Sequence, residues 1–345
     1  MRPPTFRHTG GAVAIVACGA TVAAWQGRPP QTAEAHRLLR AVAGFSPADL
    51  ARLDRGQPIV RVLDTERREV AVVGAVRIHG TRDRLLARYR DISHLQSSDV
   101  VLQIGSIGAE PRPEDFQALS FEDYDLETIR DCEPGDCGVR LSTAQLTSFT
   151  RDVNWLAPDW RQQAGALWRR LLAEYGAAYL ARGALADYRN KAAPLNVADE
   201  FDVLFAESKP LAAASPEFFA YLQQFPRVRL ANAESILYWS KDDFGLRPVT
   251  SITHLALYAP PESARPAIIG TRQIYATHYF DAALGLTLAF DDGASGFYMV
   301  CISRARTRSL ASFTRAIVRG IVLRRSREAV EQMLRSTRTA LERPR

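Results

Sequence analysis

Hydrophobic positions in the last hundred residues come in short alternating runs and then settle into one long helical stripe. Segments 249–259, 268–282, 284–292 and 296–306 read as strands, rich in β-branched and aromatic residues and separated by Pro, Gly or Asp. From residue 309 to 341 the spacing is helical: Leu310, Phe313, Ile317 and Ile321 form a stripe, continued by Val330, Met333, Leu334 and Leu341 beyond Gly320. Upstream, 32–44 is a helix with Leu38, Leu39 and Val42 on its apolar side. Ser46 caps a second short helix that has Pro47 at its first position. Strands are expected at 58–64, 69–78 and 99–105, with a helix over 81–92. From 142 to about 225 the pattern is helical, interrupted by Pro158, Pro194, Pro210 and Pro216. This order predicts an α+β fold: an antiparallel sheet curled around a long C-terminal helix, with an all-helical insert. Residues 25–141 hold the first helices and strands, 142–226 the insert or cap, and 227–345 the remaining strands and the basic helix. Together 25–345 form one discontinuous domain plus its insert.

The first 24 residues read as a signal peptide. Arg2 and Arg7 precede a short apolar run, and Val22-Ala23-Ala24 offers a cleavage site before Trp25. The expected location is therefore exported, either periplasmic or membrane-attached. Attachment would follow from Cys18, because Ile15-Val16-Ala17-Cys18 resembles a lipobox. Cys132 and Cys137 flank a Pro134-Gly135 turn and are expected to form a local disulfide, as suits an oxidising compartment. Cys301, between Val300 and Ile302, is expected to be a buried free thiol.

Charge is uneven. The net is +6, yet residues Arg304 to Arg345 carry twelve arginines against three glutamates. Between Glu114 and Asp136 nine acidic residues face one arginine. A basic amphipathic helix suits an anionic membrane surface or an acidic partner. Nucleic acid is not an expected partner, since basic and aromatic residues do not alternate.

The order of elements resembles the helix-grip fold of the START-like and polyketide-cyclase-like superfamily. The carrying residues are 69-EVAVVGAVRIHGTRDRLLARYRDI-92 and 296-GFYMVCISRARTRSLASFTRAIVRGIVLRRSREAVEQML-334. The chain is also similar to exported proteins of Gram-negative bacteria, of no assigned activity, that share the turn 131-DCEPGDC-137 and the segment 238-YWSKDDFGL-246. The resemblance implies a pocket for a lipid or other apolar ligand between sheet and helix. Residues 142–225 depart from that pattern.

Specific chemistry is sparse. Phosphate loops, zinc signatures and nucleophile elbows are missing, and neither a cofactor nor a metal site is expected. His254 and His278 lie at even positions on consecutive strands with Ile252, Tyr258, Ile274 and Phe280. A turn centred near Pro266 would oppose them on one face, about 5 Å apart between Cβ atoms. That pair is the catalytic candidate of a hydrolase-like alternative. For a binding protein, the expected lining is Tyr258, Ile274, Phe280 and Phe313, with Tyr238 and Trp239 at the mouth. A third reading is a structural envelope protein that docks through its basic helix.

Overall fold

The computed structural model describes residues 31–93, 100–188, 194–261, 265–308 and 316–343. The leader with Cys18, and Leu310 and Phe313 of the helical stripe, lie outside the described residues, as do the side chains of Ile317 and Ile321.

Helices α1 (Gln31–Ala43) and α2 (Pro47–Asp54) lead into β1 (Ile59–Val62), β2 (Glu69–His79), α3 (Arg82–Arg90) and β3 (Val101–Ile107). The insert follows: α4 (Asp123–Arg130), α5 (Thr143–Asp152), α6 (Trp160–Arg182), β4 (Asp187–Tyr188), β5 (Leu195–Asn196), α7 (Val197–Glu207), α8 (Lys209–Ala212) and α9 (Pro216–Gln223). It is not purely helical, because β4 and β5 pair as a two-residue ladder between α6 and α7. Strands β6 (Ala233–Asp242), β7 (Val249–Tyr258), β8 (Ala267–Ala276), β9 (Ala282–Asp291) and β10 (Gly296–Arg306) precede the C-terminal helix α10 (Ala316–Glu342). Ser46 caps α2 as its sequence predicts. Its side chain accepts from the Asp49 amide while Asp49 accepts from the Ser46 amide.

One eight-stranded antiparallel sheet runs in the order β1-β2-β10-β9-β8-β7-β6-β3. Strands β6 to β10 form a meander, and β2 and β3 close it from either side. The convex face is fully covered by α1, α2 and the insert. There Leu284, Leu286, Leu288, Phe290, Val300 and Ile302 join the aromatic residues of α6, α7 and α9 in the main core. The concave face meets α3 and α10, where Val72, Val76, Leu85, Leu255, Met299, Val330 and Leu334 form a second core. Gly74 marks the closest approach of α10. A Cβ there would sit 2.8 Å from both Leu334 and Val330.

The sheet curls around this helix. Arg319 and Arg325 are six residues apart, about 9 Å along the axis. Yet Arg319 donates to the carbonyls of Thr65, Glu66 and Glu69 in the β1–β2 turn, while Arg325 donates to the Phe244 carbonyl beyond β6 at 2.6 Å. Two flanks separated by four strands thus come within reach of less than two helical turns.

At the same end of the sheet, buried ion pairs tie the convex side together. Arg304 pairs with Glu69, and Arg306 with Glu66 and Glu200. Arg140 reaches Asp281 at 2.6 Å, and burial pushes that carboxyl upward. The expected disulfide between Cys132 and Cys137 is formed, and Cys301 is a buried free thiol. The acidic segment does not face the basic helix: Glu122 pairs with Lys241, and Asp123 and Glu127 pair with Arg161.

Candidate ligand cleft

The two histidines are not a pair. A bulge in β8 sets Ile252 opposite Tyr275 and Thr253 opposite Gln273, leaving Ile274 as the extra residue. His254 consequently faces Arg272, and His278 falls in the loop after the strand. Each is buried among its own partners. His254 Nδ1 lies 2.8 Å from the Tyr179 hydroxyl, and its Nε2 lies 2.9 Å from Ser235 Oγ. Burial, aided by the Arg272 charge, pushes its pKa down to about 3. His278 Nε2 sits 2.9 Å from Asp125, and its Nδ1 sits 3.0 Å from the Gly138 carbonyl. It fastens the disulfide loop to the sheet. Asp281 belongs to the arginine cluster and touches neither histidine.

The expected lining is also redistributed. Tyr258, Ile274 and Trp239 are buried in the convex core among helices. Phe280 lies in the loop after β8, its ring 5.3 Å from Phe244. Of the six residues, Tyr238 alone borders the concave face at the site described next, and Phe313 lies outside the described residues.

Small side chains on the central strands make that site. On the helix side of the sheet, Thr271 of β8, Gly285 of β9 and Ser303 of β10 lie in one row. Gln273, Ala283 and Ala305 form the next row. The odd positions of β10 share this face, since Phe297, Met299 and Cys301 pack in the α10 core. Central strands covered by a helix bury such positions as a rule. Here Ser303 is exposed and the other five are partly accessible. They form a floor about 10 Å across three strands. Val70 and Val72 of β2 border it on one side, and Thr253, Leu255 and Tyr238 on the other. Thr287 and Cys301 stand at the inner end, where burial raises the thiol to about 12. The floor carries hydroxyls and one amide, with no charged side chain. Gln273 Oε1 is buried and accepts no hydrogen bond.

Near the rim of the sheet, Ser240 Oγ donates to Asp242 at 2.7 Å and lies 3.1 Å from Ser251. Burial raises the Asp242 carboxyl to about 6. Between about pH 4 and 6 the folded chain therefore holds a proton at Asp242 that the unfolded chain has lost. Asp242 makes stability fall as pH rises through that window, by on the order of 2–3 kcal/mol. His254 acts in the opposite sense. Its unfolded form takes a proton below about 6.5, whereas the folded form takes one only near 3, so it costs stability as pH falls. The two slopes oppose each other from pH 6 to pH 4. Asp242→Asn removes one of them. Urea titrations of this variant should show a steeper loss of stability on acidification than wild type, and parallel slopes would refute a proton on Asp242.

Two further concavities have different linings. A groove of about 640 Å³ on the outer side of α10 is lined by Arg88, Glu331, Arg335 and Arg343 among others. A smaller one beside the β1–β2 turn is lined mainly by carboxylates. Among the described residues, no group of three or more His, Cys, Asp or Glu is placed to hold a metal ion, and no helix is long and apolar enough to cross a membrane. No protein-family model, curated protein or solved structure matches this chain.

Sequence reading missed the floor because it sought large apolar residues. The available signal was the reverse. In Thr271-x-Gln273, Ala283-x-Gly285 and Ser303-x-Ala305, alternate positions of three neighbouring strands are all small or polar. The positions between and beside them on β9 are leucines (Leu284, Leu286).

Proposed function

We propose that this protein binds an elongated apolar molecule carrying a hydroxyl or similar uncharged group, held between the floor of the concave sheet face and α10. The observation that carries this reading is the accessible patch of six small residues at the centre of a sheet otherwise packed on both sides. A floor of side chains this short leaves volume that a bound molecule would fill, as large side chains fill the opposite face. The lack of charge on the floor disfavours carboxylate or phosphate groups there. The buried, unpartnered Gln273 Oε1 calls for a hydrogen-bond donor, because an unsatisfied buried acceptor costs about 1–3 kcal/mol.

A hydrolase reading has one observation in its favour, the approach of Ser235 Oγ to His254 Nε2. To act as a base, His254 would have to become a buried cation beside Arg272, and the depressed pKa opposes that.

Native mass spectrometry of the purified protein, followed by solvent extraction, tests the binding reading. The expected result is a stoichiometric apolar compound that leaves with denaturation. A bare chain, together with no uptake of fluorescent fatty alcohols or sterols, would overturn it.

A further inference from the structure

Large apolar side chains that stay exposed are few, and they are not scattered. Among the described residues they are Leu102, Tyr124, Leu156, Val203, Phe244 and Leu246. Phe244 and Leu246 share the short loop after β6. The Asp243 amide in that loop donates to the Val100 carbonyl at 2.8 Å, which brings in Leu102 at the start of β3. Arg247 of the same loop stacks 3.6 Å over the Tyr124 ring. Four of the six therefore gather at one corner, at the sheet end where Asp242 and Arg325 stand. Leu102 is 48% exposed and Leu246 51%.

This apolar tip is flanked by cations. Arg325 of α10 anchors the loop through the Phe244 carbonyl, and Arg324, Arg325 and Arg327 are all exposed on the first half of the helix. α10 carries seven arginines against three glutamates in its described residues, and α3 beside it carries four arginines against Asp83. The carboxylates nearest the tip are engaged elsewhere: Glu122 with Lys241, Asp123 with Arg161, Asp125 with His278, and Asp243 with the Gly245 amide.

We infer that this corner is a docking surface for an anionic bilayer. Leu102, Phe244 and Leu246 would enter the interface, Tyr124 would lie at headgroup level, and the α10 arginines would meet lipid phosphates. Isolated apolar side chains ringed by arginine suit an interface of mixed polarity. They are too few for a second protein copy, since a stable dimer buries about 800 Å² on each partner. The inference stands on exposure and charge and does not need the cleft to be occupied.

The test is sedimentation with vesicles of phosphatidylcholine, with or without phosphatidylglycerol, using the full chain. Binding should require phosphatidylglycerol and weaken with salt. A Phe244→Ser, Leu246→Ser double variant should bind at least about tenfold more weakly, as should Arg324→Glu, Arg327→Glu. Both should unfold at the wild-type urea midpoint, since all four positions are exposed. Ser303→Trp, which blocks the cleft, should leave vesicle binding unchanged. The inference is overturned if wild type ignores phosphatidylglycerol or if the variants bind as well as wild type. It is likewise overturned if Ser303→Trp abolishes binding, or if light scattering shows a wild-type dimer that Phe244→Ser, Leu246→Ser dissociates.

Discussion

Replacing Ser303 by Trp is expected to empty the protein of its ligand while leaving it folded. Ser303 is the most exposed member of the floor, and its row neighbours on either side are Val72 and Gly285. An indole there would occupy the space above three strands without meeting a packed side chain. Excluding about 60–100 Å² of ligand surface removes about 1.5–2.5 kcal/mol of binding, a factor of ten to a hundred. Stability should change by no more than about 0.5 kcal/mol, as at other accessible positions. Ser303→Ala is the control and should bind as wild type does. Extraction followed by mass analysis, with urea unfolding in parallel, separates the two effects. A Ser303→Trp protein that keeps a full complement of ligand would place the site elsewhere.

Trp239→Ala should do the opposite, costing stability and leaving the cleft intact. The indole is 1% exposed and lies over the backbone of β3, where a Cβ on Gly105 would come within 2.5 Å of it. It stacks near Phe116 and donates from Nε1 to the Asp115 carbonyl at 2.7 Å. Truncation removes a large buried ring, opens a cavity and orphans that carbonyl. The expected loss is about 3–5 kcal/mol. A shift of the urea midpoint at constant slope would measure it. A loss under about 1 kcal/mol would mean that β3 and the 113–116 turn collapse onto the gap, contrary to close packing. Ligand carried by the surviving folded fraction should match wild type, which separates Trp239 from a lining role.

Much of the architecture was legible because it rests on periodicity. The meander strands fall within a few residues of their expected limits, and the C-terminal helix packs along the sheet as its stripe predicts. The Ser46 cap and the Cys132–Cys137 loop were readable because each is a local device of a few residues. What failed was long-range or depended on register. One extra residue at Ile274 cancels the parity argument that joined His254 to His278. The face to which Tyr258 and Trp239 point is set by which helices cover it, and strand alternation alone is silent on that. Lys241, expected at a ligand mouth or in water, is held by Glu122 at 2.5 Å and by Ser120, contacts that span more than a hundred residues. The floor was hidden for another reason: short side chains carry no hydrophobic signal, and their meaning appears only when three strands are laid side by side.

The strand order has a consequence for how the chain assembles. Glu69 of β2 pairs with Arg306, and Val101 of β3 pairs with Asp242. The strands made first during synthesis thus pair with strands made last or much later, on opposite flanks of the meander. Until β10 is complete, β2 has only the four-residue β1 beside it and its other edge is an open template. Ring-like closure of this kind, with its distant pairings, slows folding and prolongs exposure of sticky edges. Chains that stop short of residue 296 would lack β10 altogether. They would carry a hydrophobic strand with an unmated side, a species for holding chaperones to shield.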